Sequence, residues 1–436
     1  MLAKKSSEEL LLVSCSSPDP FSTVIVDTKS GSAVWGLKGH EFKSGNGCQS
    51  VSPLGKTGDF MLLTEKDDKW LHVISTNSKN RFNQVSNLIE PLEIMIVNAE
   101  GSMVFGSAGN KIYVWQVVDG TLLAIFEDHY QKITCMELSS DNALLVTASA
   151  DGNVHVFNVS DIYCARESPM GRPVPIIEFR PHALAINGMA ITKGDNPRII
   201  TVSEDNGCSI YSLSKKVILL KITADTPLKA CAIDSCESRL FISNESGKIA
   251  LIELFNRLNN NTEQLIVTLG TTPNVGMFEG HTATVTVLTL NTDGSMLASG
   301  DVEGNYRLWD IASKQPLRSA NMKCAVKTMK FVPNWDSLSS SNYVMPKKKF
   351  SYFQRMVGAL KENVVPVVEC SAANEQGCIE RSSFEDEILD YYYSNALKKG
   401  LASSKASSEK DSETIHGLRL EVERLKKELL ILADQD

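Results

Sequence analysis

The 436-residue sequence has no run approaching the roughly 18–20 consecutive apolar residues that a membrane span requires. Its first residues, MLAKKSSEEL, lack the apolar core of a secretory leader. Basic excess is also missing. The net charge of −8 argues against binding nucleic acid through bulk charge, because phosphate neutralisation needs a concentrated cationic surface. A local basic patch stays allowed. The ten cysteines show no zinc-ligand spacing: Cys231 and Cys236 are five apart, Cys370 and Cys378 eight apart. Several, such as Cys135 in KITCMEL, sit in apolar strand-like runs, as buried thiols do in a reducing compartment, cytosol or nucleus. There is no P-loop, no HExxH and no GxSxG. No catalytic residue, metal site or cofactor is therefore expected.

What the chain does have is an internal repeat. DHYQKITCMELSSDNALLVTASADGNVHVFNV (128–159) aligns with GHTATVTVLTLNTDGSMLASGDVEGNYRLWDI (280–311). Each opens on a His, alternates through a strand, turns, runs through a small-residue strand, turns again and ends on an aromatic. His129 to Phe157 and His281 to Trp309 are both 28 residues. Weaker copies occupy 92–117, ending on Trp115, and 182–213, ending on Tyr211; fainter ones occupy 228–254 and 48–74. Short strands of period-two alternation, separated by Gly, Asn, Asp and Ser turns in units of about 40–45 residues, are the pattern of propeller blades.

The recurring polar residues have a structural reading. Within a blade a His, a Ser or Thr, a turn acid and an aromatic can form a buried hydrogen-bonded chain, because buried polar groups need partners. His129, Thr147 and Asp151 fit it, with Phe157 unable to donate. His182, Thr201 and Asp205 fit with the phenol of Tyr211; His281, Ser299 and Trp309 fit with Glu303 in the acid position. A catalytic triad occurs once, whereas a fold device recurs.

Closure supplies the count. ASKQPLRSANM follows Trp309 as a fourth strand, and CAVKTMKFV (324–332) is left over. The N-terminus begins in mid-blade with ELLLVSCS, STVIVDT and SAVWGLKG. Three strands from the front and one from the back complete a blade, for seven in all, and a closed ring leaves no long exposed sheet edge. The expected organisation is a propeller over 1–333, an irregular and partly helical arm with linker over 334–412, and a coiled-coil helix over 413–436.

In the last segment Ile415, Leu418, Val422, Leu425, Leu429 and Leu432 are spaced 3, 4, 3, 4, 3, a heptad seam weakened by Gly417. With Ile415 at position a, Glu421 can meet Lys426 of a parallel partner, so a dimer is expected; docking of a single amphipathic helix on the propeller is the alternative. Upstream, SFEDEILDYYYSNALKKGL reads as a helix, with Ser383 as cap, acids at its start and lysines at its end. One basic run interrupts the acidic chain: Lys347, Lys348, Lys349, Arg355 and Lys361 are interleaved with Tyr343, Phe350, Tyr352 and Phe353. Cations that meet phosphates and aromatics that stack are what single-stranded RNA binding uses. Aromatics that dock on a protein partner or on the propeller rim are the bland alternative, and a nuclear import signal is another.

The DHYQKITC and HALAINGM blade openings, the FEGHTATVTVLTLNTDGSMLASGDVEGNYRLWDIASKQ blade, AVKTM with its irregular sequel and the terminal heptads carry a resemblance. Over most of its length the chain resembles the family of WD repeat-containing protein eighteen, the animal counterpart of a yeast pre-rRNA-processing WD-repeat family. The resemblance implies an all-β fold, a seven-bladed WD-repeat β-propeller with a C-terminal irregular arm and short coiled-coil helix. It also implies a non-enzymatic scaffold subunit of a nuclear complex that matures the large ribosomal subunit. Implied partners are a helical-repeat scaffold protein rich in Pro, Glu and Leu, a further helical-repeat subunit, the pre-ribosomal particle and, indirectly, a midasin-type AAA ATPase. Dimerisation through the C-terminal helix and residence in nucleolus and nucleoplasm, with the cytoplasm as a second compartment, come with it. Phe157, Tyr211, Glu303 and the 334–412 segment depart from the family pattern. The competing expectation is a WD-repeat substrate receptor of a ubiquitin ligase or a signalling adaptor.

Overall fold

The computed structural model describes residues 9–16, 21–77, 81–163, 172–194, 196–254, 264–267, 275–339, 343 and 350–355. The chain divides into two units, Met1–Ala359 and Leu360–Asp436, and every described residue belongs to the first. The coiled-coil positions Ile415 to Leu432, the helix expected after Ser383 and Lys347 to Lys349 lie outside the described residues.

Seven sheets, each with four antiparallel strands and one extended by a fifth, make up the described part of this unit, almost all of it strand. The second blade comprises Cys48–Leu54, Phe60–Glu65, Trp70–Ser75 and Phe82–Asn87; the third Ile94–Val97, Met103–Ala108, Lys111–Gln116 and Leu122–Glu127. The fourth comprises Ile133–Leu138, Leu144–Ser149, Val154–Asn158 and Ile177–Phe179; the fifth Ile186–Ile191, Arg198–Ser203, Gly207–Ser212 and Val217–Ala224. The sixth comprises Leu228–Ile233, Arg239–Asn244, Ile249–Glu253 and Val275–Phe278; the seventh Val285–Leu290, Met296–Asp301, Asn305–Asp310 and Pro316–Asn321.

The first blade joins the two ends of the wheel. Its innermost strand, Val326–Pro333, pairs antiparallel with Glu9–Cys15, setting Leu12 opposite Lys330 and Glu9 opposite Pro333; Thr23–Asp27 and Ala33–Leu37 follow outward. The innermost strand of each blade touches those of both neighbours, so the ring is closed.

Strand sequence dictates this packing. In ELLLV the run is continuously apolar because both faces of the sheet are covered. Leu10 and Leu12 join Val51, Met61 and Leu63 of the second blade, whereas Leu11 and Val13 join Ala298 and Leu308 of the seventh. Seven such clusters fill the seven seams between blades. A slip of one residue would exchange the two sets of side chains, which is why register is firmly held.

Five inner strands carry the same irregularity, a bulge after their first residue. In three of them the bulged side chain is re-aimed toward the next blade. Asn187 Nδ2 donates to the Leu228 carbonyl at 3.0 Å, Thr286 Oγ1 to the Val326 carbonyl at 3.3 Å and Gln49 Nε2 to the Glu93 carbonyl at 3.4 Å. One strand was not foreseen: Gln264–Val267 adds parallel to Val217–Ala224 on the outer edge of the fifth blade.

Candidate functional site

The His-centred chains grade from complete to broken. In the seventh blade Trp309 Nε1 donates to Ser299 Oγ at 2.8 Å, Ser299 lies 2.6 Å from His281 Nε2, and His281 Nδ1 reaches Asp301 at 2.9 Å. The carboxylate fixes the proton on Nδ1, which leaves Nε2 to accept from the serine hydroxyl. Asp301 is fully buried and also accepts from the Asn305 backbone and amide. The sequence reading put Glu303 in the acid position, and the structure corrects this. Glu303 is exposed in the turn, while Asp301 ends the buried strand two residues earlier.

In the fifth blade His182 Nδ1 meets both oxygens of Asp205 at 3.0 and 3.1 Å, and Nε2 meets Thr201 at 2.9 Å. Tyr211 does not extend this chain with its phenol. Its ring stacks on Phe179 of the fourth blade, with centroids 3.7 Å apart.

In the fourth blade His129 Nε2 meets Thr147 at 2.9 Å, but Nδ1 is 3.9 Å from Asp151, beyond hydrogen-bond range. The His129 ring stacks on His155 at 4.1 Å. Burial, reinforced by His155, pushes His129 down to about 4, so it is neutral at physiological pH. Phe157 has no proton to give and packs edge-on to Phe126.

A fourth polar device escaped sequence reading. Glu65, fully buried at the end of its strand, accepts from His72 and from the Ser44 hydroxyl and backbone. Burial opposes its charge, but His72 and Ser44 hold its carboxyl below the usual range. The available signal was a Glu closing FMLLTE and a His inside KWLHVI, two polar groups in strands otherwise buried. These four arrangements tie strands together. Among the described residues no group of three or more His, Cys, Asp or Glu is placed to hold a metal ion.

The described part of the basic, aromatic segment lies against the wheel. Phe353 is 3% exposed, inside the seam between the second and third blades, edge-on to Trp115 at 6.2 Å. Its backbone donates to Ser86, Trp115 Nε1 donates to the Gln354 carbonyl at 3.0 Å, and Gln354 N donates to the Gly120 carbonyl at 2.7 Å. Gly120 has φ of +65°, and a Cβ there would lie 2.3 Å from the Tyr352 carbonyl oxygen. Arg355 Nε donates to the Asn87 carbonyl, Phe350 packs edge-on to Phe60, and Tyr343 donates to Asp59 at 2.6 Å. Phe350, Phe353 and Arg355 are therefore engaged with the rim, and only Tyr352, 72% exposed, has a ring open to stacking among these described residues.

One face of the wheel carries three of the exposed large apolar side chains. Because strands alternate in direction, the loops leading into inner strands and the turns between second and third strands share one face. There Tyr130 is 91% exposed, Leu184 53% and Val302 49%. A central channel runs behind them, lined by the inner strands.

A family model described as WD domain, G-beta repeat matches residues 120–158 and 273–310. The first match covers the outer strand of the third blade and three strands of the fourth, so each sequence repeat straddles two blades. The chain is 39% identical over 345 residues to pre-rRNA-processing protein pro-1 of Caenorhabditis briggsae, covering 78% of this chain and 63% of that protein. The Caenorhabditis elegans pro-1 is 37% identical over 339 residues, with 77% and 63% covered. WD repeat-containing protein 18 of Homo sapiens is 26% identical over 347 residues, with 77% and 79% covered. The chain thus spans a little under two thirds of the nematode proteins. Seven blades and two matched repeats make the described unit a WD-repeat β-propeller, similar to proteins named for pre-rRNA processing and as WD repeat-containing protein 18.

Proposed function

We propose that the protein acts in pre-rRNA processing as a non-enzymatic platform subunit in the nucleus, supporting maturation of the large ribosomal subunit. The observation that carries this reading is the similarity, at 39% identity over 345 residues, to a relative named for pre-rRNA processing. The geometry is compatible: the His-centred groups are absorbed in holding strands together, and the face bearing Tyr130, Leu184 and Val302 is open for a macromolecular partner. In this reading the wheel offers rigid surfaces to a helical-repeat scaffold and a second helical-repeat subunit, and through them to the pre-ribosomal particle and its midasin-type ATPase. The heptads from Ile415 to Leu432 duplicate the wheel as a dimer.

Depletion of the protein tests the role directly. Accumulated precursors of large-subunit rRNA are expected. Normal precursors, together with ligase or signalling components in a gentle pull-down, would replace this reading with that of an adaptor. The dimer has its own test. Leu425→Glu with Leu429→Glu halves the mass seen by light scattering while the wheel stays folded, and an unchanged mass removes the coiled-coil claim.

A further inference from the structure

The channel holds charges that none of the foregoing uses. Each inner strand turns its unpaired edge to the axis, so the wall there is polar backbone. On the side where these strands end lies a cavity of about 460 Å³. The charged side chains among its described lining are Lys193 of the fifth blade, Lys330 of the first and Glu137 of the fourth.

The balance of this trio is uneven. Neither lysine forms an ion pair within 4 Å with a described residue. Glu137 is already committed, its Oε2 accepting from the Ile191 backbone at 3.0 Å. Burial lifts the Glu137 carboxyl to about 7, so near neutral pH it supplies only part of one negative charge to the pair, and Glu9 offsets Lys193 without contacting it. Burial also pushes Lys330 below the ordinary ammonium range, with Glu137 partly opposing. Lys330 is half-buried, and a cation so placed without a contacting counter-charge gains from a bound anion.

We propose that this end of the channel is a binding site for an anionic group, a phosphate or carboxylate, gripped by Lys193 and Lys330. Lys193 is exposed at the mouth, where it meets the group first, and Lys330 lies deeper on the strand that closes the ring. Asn142, whose Oδ1 is occupied by the Ala99 backbone, has its amide nitrogen left to donate. The site goes beyond the proposed role in pre-rRNA processing and does not depend on it.

Titration calorimetry of the full chain with inorganic phosphate, and separately with succinate, at ionic strength held constant with chloride, tests this. Saturable binding is expected. Lys193→Met should weaken it about tenfold and Lys330→Met should abolish it, while Glu137→Gln should tighten it a few fold by removing the competing charge. Response to phosphate alone identifies a phosphoryl ligand, to succinate alone a carboxylate, and to both a general anion site; each supports the proposal. Absence of saturable binding, or equal binding by the wild type and Lys193→Met, overturns it. Should Lys330→Met fail to fold, the exposed Lys193 and the gain with Glu137→Gln decide the matter.

Discussion

Leu12 and Lys330 face one another in adjacent strands although almost the whole wheel lies between them in sequence. Leu12 points into the seam with the second blade, and Lys330 lines the channel. Removing residues 326–333 takes Val326, Met329 and Val332 from two seams at once. Each buried aliphatic is worth about 2–4 kcal/mol, so the loss rivals the 5–15 kcal/mol stability of a typical domain. Calorimetry of the deletion should show the cooperative transition lost or lowered by tens of degrees. An unchanged transition would mean that closure contributes nothing.

Asp301 and Glu303 separate a buried anchor from a turn residue. Asp301→Asn leaves His281 Nδ1 and two Asn305 donors poorly matched and should cost about 2–4 kcal/mol in urea unfolding. Glu303→Gln should stay within about 0.5 kcal/mol, as exposed substitutions do. Equal costs would restore Glu303 to the acid role.

His129 makes stability fall on acidification. Its folded pKa, near 4, is below the ordinary value of 6.5, so the unfolded chain binds the proton more readily. The stability from keeping it neutral is complete above pH 6.5 and is lost as pH falls toward 4. The full window is worth up to about 3 kcal/mol. His129→Gln should flatten the pH dependence of the urea midpoint over this range. A slope identical to that of the wild type would contradict the shift.

Phe353 and Tyr352 are neighbours with opposite fates. Phe353→Ala empties a site between two blades and should cost about 3–5 kcal/mol. Tyr352→Ala should be neutral within about 0.5 kcal/mol. A neutral Phe353→Ala would show that the segment merely rests on the rim.

Much of the wheel was legible because middle strands are covered on both faces and therefore read as apolar runs between turn residues. The same logic made the closing strand visible: CAVKTMKFV had no partner except the N-terminal strands. The polar devices were legible only in part. Ser299, Thr201 and Thr147 occupy equivalent ladder positions and were found, but the acid position moves by two residues between blades, and spacing does not report which carboxylate is buried. Glu65 with His72 uses a His on the third strand of its blade, outside the repeated pattern. For Phe350 and Phe353 the composition suited both RNA stacking and rim docking, and the structure packs these two rings against Phe60 and Trp115.

A blade stitched from both chain ends also has a temporal meaning. During synthesis the Glu9–Cys15 strand emerges early, yet its inner neighbour is made only when residues 326–333 leave the ribosome. Until then Leu11 and Val13 lack their Val326 and Met329 neighbours, and the seam between the first and seventh blades stays incomplete. Chains cut short before that point lack the strand that pairs with Glu9–Cys15, so the circle closes only after residue 333 has been made.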